Sequence, residues 1–247
     1  RLLNFYNQEN IFIVTNHEFY FEILGELSDL CHFNKSNIIS EPEQKNTLPA
    51  ICLATKVIND INPNSIISVF SSDHAIENDE KFNSAINYSA EYAANNQIVL
   101  FGVQPDKANT NYGYIEMGDN ICSTGEVQIF NVTKFHEKPS ESDAQIYIDK
   151  GYLWNSGIFI FNALCFIDLV KQYQPSIHQT FFVDDHEIDK DVYRSLPSLS
   201  IDYGLLEKIK NISVLKVDFN WTDLGTWNSL HDFFAKGKEL DELNNVC

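Results

Sequence analysis

Two periods of apolar residues alternate along the first hundred positions. IFIVT (11–15), NIIS (37–40), SIISVFSSDH (65–74) and IVLFGV (98–103) are short β-branched or aromatic runs of strand length. Between them the spacing becomes helical. Phe19, Ile23, Leu27 and Leu30 share one face of 19–30, and Ala50, Ala54, Val57, Ile58 and Ile61 share one face of 47–61. Thr47 is placed to cap the second of these helices, with Pro49 in its first turn. A third helix is expected over 79–96. Strands alternating with helices in this way predict an α/β fold, with a mostly parallel sheet covered by helices on both sides.

The second half follows a different rhythm. YGYIE (112–116) and VQIFNVTKF (127–135) read as antiparallel strands joined by a Gly-containing turn. Helices are expected at 141–150, 163–173 and 226–237, a strand at 212–219, and polar irregular chain at 176–200. GYLWNSGIFIF (151–161) has the composition of a buried strand, yet Asn155, Ser156 and Gly157 interrupt it. No repeat, low-complexity tract or linker divides the chain, so residues 1–247 are expected to form one domain.

Composition narrows the class. The chain has 247 residues, 44% of them hydrophobic, and a formal net charge of −18 from 35 acidic and 17 basic residues. That balance argues against a nucleic-acid partner. It would also repel a phosphorylated ligand unless a cation offsets the field locally. No apolar run reaches the ~20 residues of a membrane-spanning helix. Five widely spaced cysteines (Cys31, Cys52, Cys122, Cys165 and Cys247) without a C-x-x-C pair suit reduced thiols and a cytoplasmic setting.

Several polar residues stand where chemistry is expected. Asp73 follows the apolar run Ile66, Ile67, Val69 and Phe70 at a strand's carboxyl end, and ligands bind outside the carboxyl ends of strands in open parallel sheets. Asp223 lies in FNWTDLGTW (219–227), a turn between strand and helix, with Asp202 and Asp218 as rivals. Two strand-end carboxylates without a Cys/His cluster suit Mg²⁺ better than zinc. The alternatives are helix capping for Asp73 and a turn carboxylate bonding local amides for Asp223. FHEKPS (135–140) offers Glu137 for sugar hydroxyls and Lys138 for a phosphate, or else a simple ion pair at a strand end. Gly113, between Tyr112 and Tyr114, marks either close approach of a ligand or a bulge. Asn155 suits a hydroxyl-rich ligand, or else is a satisfied polar group in a bulge. SEPEQKNTLPA (40–50) leads into a helix N-terminus that favours anions or the polar edge of a base, beside ordinary capping by Asn46 or Thr47. No G-x-S-x-G, Walker A or G-x-G-x-x-G sequence is present.

In order, IFIVTN, EPEQKNTLPAI, SSDHAI, TNYGYIE, FHEKP, GYLWNSGIFIF, SIDYGLLEK and WTDLGTWNSL resemble segments of the sugar-1-phosphate nucleotidylyltransferases, most closely the branch that makes GDP-mannose. The resemblance covers nearly the whole chain. It implies a Rossmann-like nucleotidyltransferase fold with an antiparallel sugar-binding half over 104–200. It implies Mg²⁺-dependent transfer of GMP from GTP to mannose 1-phosphate, releasing pyrophosphate, and it leaves a homodimer open. Asp73 and Asp223 match the metal-binding aspartates, and Lys138 the lysine that contacts the sugar phosphate. Glu137, Asn155 and Gly113, with Tyr112 beside it, match positions that hold the sugar. Glu41, Pro42, Asn46 and Thr47 match the loop beside the nucleobase, with Asp73 close to the nucleotide.

The chain departs from the family pattern in three places. The Gly-rich loop that wraps the triphosphate has no counterpart in it. Residues 1–10 look instead like the helix that follows that loop, so the loop segment is expected to be missing from this chain. SSDH replaces the usual Pro-Ala before Asp-His, and Lys45 stands where Arg is preferred. Two alternatives use the same residues. One is a nucleotidylyltransferase for another hexose 1-phosphate, such as glucose 1-phosphate with UTP or dTTP. The other is a non-catalytic homologue that binds a sugar nucleotide.

Overall fold

The computed structural model describes residues 1–30, 33–124, 127–183, 188–225 and 227–235. Cys31, Cys247 and the ends of the expected 226–237 helix lie outside them.

The first half runs β1 (Ile13–Asn16), α1 (Tyr20–Leu30), β2 (Ile38–Glu41), α2 (Thr47–Ile61), β3 (Ile66–Val69), β4 (His74–Ile76), α3 (Asp79–Ala93) and β5 (Ile98–Val103). The second half runs β6 (Tyr114–Thr124), β7 (Val127–His136), α4 (Glu141–Asp149), β8 (Leu153–Asn162), α5 (Ala163–Tyr173), α6 (Pro175–Phe182), α7 (Lys190–Ser195), β9 (Ile212–Val217), β10 (Trp221–Asp223) and α8 (Trp227–Ala235).

A six-stranded mixed sheet, ordered β3-β8-β5-β9-β7-β6, forms the centre. β3, β5, β9 and β6 run one way, and β8 and β7 run the other. β1 and β2 form a separate parallel pair, and β4 and β10 a short antiparallel one. The continuous apolar run of β5 has the meaning expected of it: every residue is buried, because helices cover both faces. Leu100, Phe159 and Phe161 meet residues of α2, α5, α6 and α7 on one side. Val99, Phe101 and Ile160 meet Phe82 and Ile86 of α3 on the other.

Some expectations are corrected. Asn46, not Thr47, caps α2. It adopts φ 69°, which Asn tolerates better than a β-branched residue, and its side chain accepts from the Thr47 amide at 2.8 Å. Thr47 is the first helical residue instead, and its Oγ1 accepts from the Ile201 amide at 2.9 Å. Residues 1–10 form two 3₁₀ turns, Leu2–Asn4 and Gln8–Asn10, rather than the end of a helix. The run 65–74 divides into β3 and β4 at its polar residues. The stretch 176–200 is not irregular: it holds most of α6 and all of α7. Their polar surfaces hide a short apolar face, with Ile177, Phe181 and Tyr193 fully buried.

Phe161 sits where β8 meets this core, with its ring stacked on Phe166 at 4.5 Å. Phe161→Ala is expected to lower unfolding free energy by about 3–5 kcal/mol, read from denaturant midpoints. A loss under about 1 kcal/mol would mean that this face repacks freely.

Candidate active site

The site begins with the interruption in β8. Leu100 of β5 pairs with Phe159, and Gly102 pairs with Asn155, so β8 carries two more residues than its partner across this stretch. The surplus is a bulge at Ser156–Ile158, and its polar side chains satisfy it. Ser156 Oγ donates to the Phe101 carbonyl at 2.9 Å and accepts from the Ile158 amide at 3.3 Å. The Gly157 amide donates to Asn155 Oδ1 at 3.2 Å. Gly157 has φ 73°, a region that costs other residues energy, and this is the reason for glycine there. An added Cβ at Gly157 would meet His74 only at 3.4 Å, so the backbone angle and not crowding selects glycine there.

Asp73 and Asp223 meet through the β4–β10 ladder. Asp223 pairs with His74, and the Leu224 amide donates to the Asp73 carbonyl at 3.0 Å. The His74 ring lies beside both carboxylates, with Nε2 3.9 Å from Asp73 Oδ1. Burial lowers the His74 pKa despite both negative charges. The Asp73 side chain is 58% exposed. Asp223 Oδ1 accepts a 2.5 Å hydrogen bond from Tyr112 Oη. That bond and burial raise the Tyr112 pKa, with burial the larger cause, so the phenol stays a donor. Tyr112 is wedged edge-on between Trp154 (5.0 Å) and Trp221 (5.3 Å). The rival carboxylates lie elsewhere: Asp218 pairs with Lys81, and Asp202 with Asn155.

Gly113 carries the site from the aspartates to a second acidic group. Its carbonyl accepts from the Asn155 amide at 2.8 Å. A Cβ at Gly113 would come within 2.7 Å of Glu137 Oε2 and 2.9 Å of the Phe135 ring, so glycine is needed for close approach. Glu137 is 8% exposed and pairs with Lys138 Nζ at 3.5 Å. Burial, then the charge of Asp202, push the Glu137 pKa up to about 7, with Lys138 opposing. Asp202 is also raised, by burial first. Lys138 has φ 44°, uncommon for a residue with a side chain, and is 58% exposed. Its ammonium group faces Glu137 and Asp202, at a contact that is only partly buried.

The expected nucleobase loop is built from the end of β2. Glu41 is 8% exposed and accepts a 2.5 Å hydrogen bond from Tyr193 Oη of α7. Burial raises the Glu41 pKa and the bond partly offsets it. Pro42 follows, and Asn46 and Thr47 serve the start of α2 as described. The structure thus brings Asp73, Asp223, Tyr112, Gly113, Glu137, Asn155 and Lys138 into one connected set, and ties Glu41 to α7. Sequence reasoning missed Tyr193 and the Asn155–Asp202 contact. Both pairs join residues far apart in the chain, and the only local signal was a carboxylate in an otherwise apolar stretch.

The raised Glu137 pKa gives a pH effect on stability. The folded state keeps this proton up to about pH 7, whereas the unfolded chain releases it near the ordinary value of 4.5. Between those values the folded state binds more protons, so stability falls as pH rises. Glu137→Gln is expected to flatten this decline in denaturation midpoints measured across that window. An unchanged slope would contradict the burial of this carboxyl.

Comparisons with known proteins show the family. A family model described as nucleotidyl transferase matches residues 1–239. The chain is 34% identical over 251 residues to "Mannose-1-phosphate guanylyltransferase ManC" of Salmonella typhimurium, covering 96% of this chain and 52% of that protein. It is 32% identical over 257 residues to "Mannose-1-phosphate guanylyltransferase" of Escherichia coli, covering 99% and 53%. The chain therefore spans about half the length of these curated relatives. A Thermus thermophilus crystal structure titled "mannose-1-phosphate geranyltransferase" superposes with a TM-score of 0.82 at 28% identity, covering 95% of this chain and 67% of that one. With a family model spanning nearly its whole length and relatives above 30% identity over almost every residue, this chain belongs to the nucleotidyl transferase family.

Proposed function

We propose that the protein transfers GMP from GTP to α-D-mannose 1-phosphate, giving GDP-mannose and pyrophosphate. The observation that carries this reading is the joining of two groups of residues through Tyr112 and Gly113. Tyr112 holds Asp223, the ladder partner of His74 beside Asp73. Gly113 touches Asn155 and makes room for Glu137. Support for the substrate pair comes from the relatives named as mannose-1-phosphate guanylyltransferases.

The residues fit a magnesium ion. Asp73 is open to solvent and Asp223 is oriented by Tyr112. Among the described residues no group of three or more His, Cys, Asp or Glu side chains is arranged to hold a metal. Mg²⁺ is commonly held by one or two carboxylates together with waters and substrate phosphates, so two aspartates suffice. Bound there, the ion would neutralise phosphoryl charge.

The chain's own residues do the rest by positioning. An ionised phosphate oxygen of the sugar phosphate attacks the α-phosphorus of GTP. That P–O bond forms as the bond to the pyrophosphate oxygen breaks. No protein nucleophile and no base are required. Lys138 offsets the charge of the incoming phosphate. Asn155 and Glu137 hold the sugar hydroxyls, with the Gly113 backbone close by. Glu41, Pro42, Asn46 and Thr47 face the nucleobase. Among the described residues no helix is long and apolar enough to cross a membrane, and a cytoplasmic location fits these water-soluble substrates.

Two substitutions test the assignment in a pyrophosphate-release assay across nucleotides and hexose phosphates. Asp223→Asn is expected to abolish Mg²⁺-dependent turnover, and retained activity would remove Asp223 from the metal site. Asn155→Ala is expected to raise KM for mannose 1-phosphate about tenfold, the effect of leaving a ligand hydroxyl unpaired. An unchanged KM would place the sugar elsewhere.

A further inference from the structure

Asn155 is held at both ends of its amide. Oδ1 accepts from the Gly157 amide at 3.2 Å, and Nδ2 donates to Asp202 Oδ1 at 3.3 Å. A side-chain amide has two donors and two acceptor lone pairs. Each end of Asn155 therefore keeps one hydrogen-bonding position, aimed in a direction its partners fix. The Gly157 contact belongs to the β8 bulge and is local. The Asp202 contact joins the bulge to a separate element, the π-helical turn Asp202–Leu206 after α7. Gly204, Leu205 and Leu206 at the end of that turn are buried. The Gly204 carbonyl accepts from Gln174 Nε2 at 2.8 Å, which ties the turn to the start of α6. Asp202 is thus mounted on a rigid base.

We propose that Asp202 is a positioning residue for sugar recognition: its carboxylate sets the orientation of the Asn155 amide, and with it which hexose hydroxyl Asn155 can read. This rests on the reading that Asn155 contacts the hexose of a sugar 1-phosphate. The alternative orientation, with the amide flipped, would put two acceptor oxygens against each other at Asp202 and a donor against the Gly157 N–H. Asp202 blocks it. Asp202 also faces Lys138, Glu137 and Glu207, and the Ser200 hydroxyl contacts it. Burial opposes its ionisation, so a carboxyl here is kept against its own desolvation cost. That is a reason to seek its use in the ligand site rather than in stability.

The test measures binding and turnover with mannose 1-phosphate, its C2 epimer glucose 1-phosphate, and GTP. Asp202→Ala removes the acceptor. Its calorimetric Kd and its KM for mannose 1-phosphate are expected to rise about tenfold, while KM for GTP stays within about twofold. Preference over glucose 1-phosphate is expected to shrink. D202N keeps a carbonyl acceptor and is expected to recover most of the lost affinity. In an Asn155→Ala background, D202A is expected to add nothing, because the residue acts through that amide. Thermal melts check that each variant folds, and Asp202→Ser replaces D202A if it does not.

Three outcomes overturn the inference alone: an unchanged mannose 1-phosphate Kd in D202A, a parallel rise in both KM values, or a full D202A effect persisting without Asn155. If the unaltered protein neither binds nor turns over any hexose 1-phosphate, the functional reading itself fails and takes this inference with it.

Discussion

Strand β8 is the constraint on which the rest of the structure depends. It hydrogen-bonds to β3 along one edge and to β5 along the other, and its first residues also pair with β6. The antiparallel β6–β7 unit of the second half and the α/β layers of the first half therefore meet on one strand. Its Phe159–Asn162 end is core throughout. Its Asn155–Gly157 segment cannot be wholly apolar, because the bulge leaves backbone groups outside the β5 ladder. Each polar side chain there answers that need first, and Asn155 retains hydrogen-bonding capacity afterwards. Structure and recognition are therefore not rival explanations of this segment. The bulge supplies the geometry, and in the proposed function what remains of the amide would supply the recognition.

Charge follows the same economy. A chain of net charge −18 does not need a basic surface to meet phosphates if the charge is arranged locally. Asp73 and Asp223 stand beside the His74 imidazole, whose pKa burial lowers despite both charges. Glu137 and Asp202 have raised pKa values, chiefly because burial disfavours ionisation, with the charge of Asp202 adding at Glu137 and that of Glu207 at Asp202. Lys138 is the cation set against them. In the proposed reaction, one divalent ion and one ammonium group would supply the positive charge, and the carboxyls around the sugar would serve as hydrogen-bonding groups. The left-handed backbone of Lys138, just before Pro139, fits a residue held in place for a task, since such conformations persist where surrounding structure over-determines them.

Much of this was legible in the sequence where the signal was local. The buried run 98–103, the helix 163–173 and the antiparallel pair at 112–135 follow directly from periodicity. The family resemblance brought Asp73, Asp223, Glu137, Lys138 and Asn155 to notice together, and the fold joins them. What the sequence could not convey was contact between distant segments. Tyr193 looks like one more aromatic in a short polar helix until Glu41 is seen beside it. Asp202 looked like another candidate carboxylate for a metal, and only the position of the π-helical turn against β8 shows that it faces Asn155. Asn46 and Thr47 both suit the cap of α2 by residue type, and only the backbone angle of Asn46 decides between them. Residues 176–200 were misread because two short helices with three fully buried apolar positions leave almost no periodic trace.

In the proposed function, the β4–β10 ladder would bring the Asp73 and Asp223 carboxylates to one divalent ion, beside the residues assigned to the hexose. A crystal structure of the protein with GDP-mannose and Mn²⁺, with anomalous scattering recorded for the metal, tests it most directly. The account predicts an anomalous peak bridging Asp73, Asp223 and the diphosphate, with the hexose against Asn155 and Glu137. A metal peak away from both aspartates, or a hexose lodged outside the bulge of β8, would contradict it.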